Sequence, residues 1–217
     1  MKKTLFALCS LLVTLPALAG FEGTIALKYS NEVSPNTGMT FYLSDTKVRV
    51  DLDYRNAELA ATTVLLLDPS AAVMHLYNIA SSNVDGKWYS SIPASDIDAK
   101  GVSMAGLTGK ATGEIKEISG YSCEKYIFKT NASTTETWVA KAIDFDAAKY
   151  APFFKTGVEM QGLAALHVKG FPVKTSTSDW RGTIISAWEI EKISTEKLSA
   201  TTFQIPADYK NAADIKK

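Results

Sequence analysis

The sequence predicts an α+β fold: a large curved antiparallel β-sheet of about ten strands, a half-barrel, with short helices covering its concave face. Three observations lead there. Apolar and polar residues alternate over most of the chain, as in strands with one buried and one wet face. Turn-forming clusters join successive runs into hairpins and meanders. Two apolar segments, at about 93–108 and 143–167, break the alternation and read as helical insertions. A sheet that long must curl, close or be covered, and these insertions are natural covers.

The N-terminus is an address. Lys2 and Lys3 precede an apolar run from Thr4 to Leu15, Pro16 breaks it, and Ala17-Leu18-Ala19 supplies a small-x-small site. This is the pattern of a secretory signal peptide, residues 1–19, cut before Gly20. The run is too short to span a bilayer, which takes about 20 residues. The expected product is periplasmic or extracellular, with one domain over 20–217 and no transmembrane segment. Cys9 lies inside the apolar run, where a lipoprotein cysteine does not belong.

The strands follow in order. Phe21, Ile25, Leu27 and Tyr29 share one face of the first. After a turn cluster at 31–38, Met39, Phe41 and Leu43 alternate, Ser44-Asp45-Thr46 turns, and Val48, Val50, Leu52 and Tyr54 alternate back. Lys47, Arg49, Asp51 and Asp53 occupy the other face and are expected in solvent. Strands at 61–67, 73–77 and 87–92 are separated by Asp68-Pro69-Ser70 and Asp85-Gly86. Gly101, Gly106 and Gly109 then argue for a loop, with Ser95-Asp96 as a cap for a short helix. Strands at 114–118, 121–130 and 134–140 form a meander. Residues 144–154 read as a short helix capped by Asp144. Residues 158–167 are ambiguous, because Gly162 weakens a helix. Strands at 171–176 and 182–193 follow, the second carrying Ile184, Trp188 and Ile190 on one face.

Composition excludes several classes. The 217 residues are 46% hydrophobic and 21% charged, with 23 basic against 23 acidic side chains. Such a chain has material for a core and is no disordered tail. It lacks the basic excess of a nucleic-acid binder. Removing the leader leaves one cysteine, Cys123, so no internal disulfide forms, and a buried strand thiol is the expectation.

No catalytic constellation emerges. Gly101-Val102-Ser103-Met104-Ala105 has alanine where a nucleophile elbow needs its second glycine. Gly106 to Thr112 has Ala111 where a P-loop needs its Ser or Thr. His75, His167 and Cys123 make no zinc spacing, and neither a metal nor another cofactor is expected. The same-face pairs Asp51/Asp53 and Glu189/Glu191 suit a solvated strand face better than acid–base chemistry. Asn131-Ala132-Ser133 matches a glycosylation triplet, a pattern that is common by chance. What remains is apolar. Met104, Leu107, Phe153, Phe154, Met160, Leu163 and Leu166 lie in the insertions, and Trp138 and Trp188 on strands. Together they are the candidate lining of a hydrophobic cavity or its cover, against the plainer alternative that they close the core.

Four ordered segments carry a resemblance: Gly120-Tyr121-Ser122-Cys123-Glu124-Lys125-Tyr126, Glu136-Thr137-Trp138-Val139-Ala140-Lys141, Gly170-Phe171-Pro172-Val173-Lys174 and Phe203-Gln204-Ile205-Pro206-Ala207-Asp208-Tyr209. With Phe21 to Ile25 and Lys47 to Val50, they resemble an uncharacterised family of exported bacterial proteins, domain of unknown function four-four-one-two. That family is similar in layout to the periplasmic lipoprotein carriers. The resemblance implies a half-barrel with helices over an apolar concave face. It also implies a non-catalytic role, either binding a lipid or acylated protein, or serving as an envelope interaction or stress-sensing module. It assigns no catalytic residue and no role to Cys123.

Overall fold

The computed structural model describes residues 21–31, 37–55, 60–81, 86–98 and 103–214. The predicted leader lies outside the described residues, as do the middle of the 31–38 turn, Asp85 and Gly101-Val102.

Alternation builds two meanders. The first comprises β1 (Gly23–Asn31), β2 (Thr37–Leu43), β3 (Val48–Arg55), β4 (Ala60–Asp68), β5 (Val73–Ser81) and β6 (Trp88–Pro93). The second comprises β7 (Thr108–Ile118), β8 (Tyr121–Lys129), β9 (Ser133–Ala140), β10 (Phe171–Asp179) and β11 (Ile184–Ser194). Antiparallel pairing of β11 with β1 joins them. A last strand, β12 (Lys210–Asn211), adds to β6 in parallel. The result is one open sheet of 12 strands in the order β12-β6-β5-β4-β3-β2-β1-β11-β10-β9-β8-β7. It exceeds the expected ten largely because β12 is two residues long, too short to show a period.

The predicted 39–54 hairpin is present in register. Met39 faces Leu52, Phe41 faces Val50 and Leu43 faces Val48. Ile25 and Leu27 of β1 continue the apolar stripe, opposite Phe41 and Met39. β7 starts earlier than the alternation suggests, at Thr108. Its first half is exposed and glycine-containing, and a bulge between Ala111 and Ile115 interrupts its pairing. Ile184 leaves the face expected of it. A register shift beside Ser178 turns it to solvent at 63% exposure, while Trp188 and Ile190 stay inward.

The β9–β10 connection carries the cover. Helix α1 (Ala147–Tyr150) is capped by Asp146, whose Oδ1 accepts from the Ala148 N–H at 3.1 Å. The cap is thus two residues beyond the expected Asp144. A 3-10 turn at Ala151–Phe153 absorbs Pro152. Helix α2 (Val158–Ala165) resolves the ambiguous segment as helical. Gly162 is the reason it fits: a Cβ there would stand 2.2 Å from Phe128 Cδ1. The residue that weakens helix propensity is the one that lets the helix lie on the sheet. Gln161 Nε2 donates to the carbonyls of Ala151 and Phe154 and ties α2 to the preceding turn.

The other face holds a second, smaller core that the sequence does not announce. Val64, Leu66 and Tyr77 are buried there. Residues 199–211 cross this face. Phe203 is buried, Tyr209 rests edge-on against Tyr77 at 5.2 Å, and the Tyr209 hydroxyl donates to the Asn78 carbonyl at 2.6 Å. Arg49 and Asp51 therefore do not lie in solvent. Asp51 accepts two guanidinium N–H bonds from Arg49, at 2.7 and 2.8 Å, and Arg49 also donates to the Thr202 carbonyl. The expectation failed because a distant segment covers a face whose local pattern is wet.

Candidate functional site

The site forms where α2 meets the sheet. One rung crosses five strands, Tyr126–Thr137–Thr175–Trp188–Tyr29, through consecutive pairings of β8, β9, β10, β11 and β1. The sequence shows its polar members as same-parity threonines, Thr135 and Thr137 on β9, Thr175 and Thr177 on β10. All four are buried. Their hydroxyls bond in pairs, Thr135 to Thr177 at 3.0 Å and Thr137 to Thr175. They are satisfied by each other, so they form a floor that costs little to bury.

Two adjoining spaces lie here, and Thr175 and Thr177 of this floor line the outer one. The inner one is a pocket of about 120 Å³, lined by Leu27, Met39, Phe41, Phe145, Phe154, Met160, Phe171 and Trp188 among others. Phe171 organises its walls, meeting Phe41 edge-on at 5.2 Å and Phe145 at 5.3 Å. The outer one is a groove of about 450 Å³ that adds Ser133, Thr175, Thr177 and Ser186. Tyr29, Met39, Phe154, Glu159 and Trp188 border both. The inner pocket is comparable to cavities that hold a benzene-sized group, and the groove falls in the size range of small-molecule sites, about 300–1,000 Å³.

The predicted lining residues divide. Phe154, Met160 and Trp188 come together at the pocket. Phe153 and Leu163 are buried in the core beside it. Met104 and Leu107 pack part-buried against the same core, and Leu166 is 39% exposed at the end of α2. Trp138 alternates to the opposite side from the buried Thr137 and Val139, with the Lys125 ammonium 5.7 Å over its ring. It is not brought to the pocket. The walls from β1, β2 and β10, namely Leu27, Tyr29, Met39, Phe41 and Phe171, escape a search that looks at insertions, because in sequence they are ordinary core positions.

Glu159, in the first turn of α2, is the one Asp, Glu, Lys, Arg or His side chain lining either space among the described residues. Desolvation pushes its pKa above the usual carboxylate range. Other reactive types sit elsewhere. His75 Nδ1 is 2.9 Å from Ser91 Oγ on β6, and burial lowers its pKa. Cys123 is fully buried, its thiol donating to the Tyr121 carbonyl, and burial raises its pKa. The described residues contain no cluster of His, Cys, Asp and Glu suited to a metal ion. No helix among them is long and apolar enough to cross a membrane.

Comparison with known proteins places the fold. A family model described as "Domain of unknown function (DUF4412)" matches residues 21–209. No curated protein sequence matches. An uncharacterised conserved protein from Thermus thermophilus superposes with a TM-score of 0.51 at 10% identity, covering 88% of this chain and 91% of that one. PNGF-II superposes with a TM-score of 0.50 at 14% identity over 89% of this chain, which spans only 32% of PNGF-II. MucB gives 0.45 at 11% identity, covering 88% of this chain and 60% of its own. At these identities the first two establish a shared fold.

Proposed function

We propose that this chain, which belongs to the DUF4412 family, is a non-catalytic envelope protein that binds the apolar part of a lipid or acylated protein between α2 and the covered sheet face. One observation carries this: an apolar pocket walled by both the sheet and the cover, adjoining a larger groove that shares Tyr29, Met39, Phe154, Glu159 and Trp188 with it. Each CH₂ buried there contributes about 0.8 kcal/mol. The pocket takes the end of a chain and the groove receives the rest. Residues 1–19 have the pattern of an export leader, which supports a periplasmic location.

The test is mass spectrometry on Gly20–Lys217, exported to a bacterial periplasm and purified without detergent. A lipid-sized mass, present in the native spectrum and lost on denaturation, is expected. Phe154→Asp should lose it while circular dichroism stays unchanged. A clean apo mass, with no uptake of added fatty acid, phospholipid, fatty alcohol or fatty amine, would overturn the proposal.

A second role, docking an envelope protein, is favoured by a separate feature. At the β10–β11 hairpin end Trp180 is 76% exposed, stacked under Arg181 and close in sequence to the exposed Ile184. A photocrosslinker at position 180 that recovers no envelope protein from intact cells would sink it.

A further inference from the structure

The inner pocket proposed above is apolar and the outer groove adds neutral Ser and Thr hydroxyls; Glu159 borders both and is the one Asp, Glu, Lys, Arg or His side chain among their described lining residues. Its position follows from local structure. Gly157 caps α2 and leaves room above it: a Cβ on Gly157 would stand 3.0 Å from Glu159 Oε1. The carboxyl takes its hydrogen bond from its own backbone N–H. No ion pair reaches it among the described residues. Lys155, one turn earlier, donates instead to the Ser95 carbonyl at 3.0 Å. Tyr29, the other titratable group on the walls, has its hydroxyl engaged by Asn31 Nδ2 at 3.0 Å.

A helix N-terminus tolerates an acidic side chain anywhere around its first turn, most cheaply in water. Here the acid lines a space whose inner end is walled by Phe, Met, Trp and Leu. No Lys, Arg or His among the described lining residues offers a counter-charge. A carboxylate so placed is costly unless a proton or a cation neutralises it. The threonine hydroxyls of the floor are occupied with one another, so they leave the charge to be met by whatever enters.

Resting on the groove proposal, we infer that Glu159 reads the polar end of the ligand, and that the preferred ligand is an amphiphile whose protonated amine meets the Glu159 carboxylate while its apolar chain lines the pocket. An ammonium head supplies the missing charge and up to three N–H donors. An anionic head, such as a free fatty acid's, would meet a like charge and is disfavoured.

Octylammonium, octanol and octanoate share one chain and differ in the head. Isothermal titration of wild-type protein with each should show octylammonium binding about tenfold or more tighter than octanol, the size of one charge-assisted hydrogen bond. Octanoate should bind weakest. In Glu159→Gln the ammonium preference should fall to about onefold while octanol affinity is kept, which shows the groove intact. Octylammonium no tighter than octanol, octanoate the tightest, or the preference surviving in Glu159→Gln would overturn the inference and leave the groove standing. Loss of octanol binding in Glu159→Gln would make Glu159 structural and also overturn it. Binding of none of the three to wild type would defeat the groove proposal itself.

Discussion

Gly162→Ala sets two effects of opposite sign against each other. Alanine raises helix propensity by about 1 kcal/mol over glycine. An added methyl at 162, however, would lie 2.2 Å from Phe128 Cδ1, 2.5 Å from Cε1 and 2.6 Å from Cγ. Carbon atoms pack at about 3.5–4.0 Å, so helix and ring must part by about 1 Å or more. Phe128 has little room to retreat. It is fully buried, Tyr126 stacks parallel to it, and the same ring edge already crowds Gly109, where a Cβ would be 2.5 Å away. Overpacking of this kind costs about 1–3 kcal/mol, and so deep an overlap belongs at the upper end. The net expectation is destabilisation by about 2 kcal/mol. For a chain of this size that lowers Tm by roughly 4–8 °C. Thermal and urea unfolding of wild type, Gly162→Ala, Phe128→Ala and the double variant make the assay. In the Phe128→Ala background the clash is gone, and Gly162→Ala should turn stabilising by about 1 kcal/mol. The cycle then yields a coupling of about 3 kcal/mol. A Gly162→Ala protein as stable as wild type, or more so, would refute the close seating of α2 on Phe128, and with it the narrow pocket beneath Met160.

Other perturbations test the second face and its charges. Asp51→Ala strands the largely buried Arg49 guanidinium, and urea titration should show a loss of about 3 kcal/mol. Phe203→Ala should cost about 3 kcal/mol and raise dye binding at the uncovered Val64 and Leu66, whereas Tyr209→Phe should cost only about 1 kcal/mol, for its bond to Asn78. Asp68 has its pKa held down at about 2, first by the Ser70 hydroxyl and then by Lys47 and the Ala71 N–H. Its stabilisation is therefore complete above about pH 4 and lost as pH falls toward 2. After allowance for solvent screening, Asp68→Asn should cost roughly 1–2 kcal/mol at pH 7, and the difference should shrink below about pH 4 and vanish as pH falls through about 2. A constant difference across that range would refute this account of Asp68.

Strand identity is local, and most of it was legible. Period-two alternation at Met39–Leu43 and Val48–Leu52 carries the hairpin and its register, because slipping one residue would turn Phe41 and Val50 to solvent. Glycine at 162 misled in one respect and informed in another. Propensity argued against a helix, and only the Phe128 ring explains why the helix needs glycine there. The cap falls at Asp146 and not Asp144 because the chain is still extended at Asp146, which bridges to Lys169, and turns helical only after it. Of the candidate lining, Phe154, Met160 and Trp188 border the pocket, large apolar residues on or beside the cover. Trp138 satisfied the same criterion and lies elsewhere, since composition does not say which face of β9 is covered.

The sequence by itself determined the strands, the presence of an apolar cover and the lack of any recognisable catalytic motif. Those properties reside in contiguous residues, through alternation, turn chemistry and motif spacing. Tertiary structure decided the partner of β1, which is β11 from more than 150 residues away. It also decided that residues 199–211 bury Arg49 and Asp51. And it decided that Glu159 lines a groove beside the apolar pocket. Each depends on which distant surfaces meet. A local pattern reports only that a face is apolar or polar, whereas pairing, covering and enclosure are properties of two segments at once.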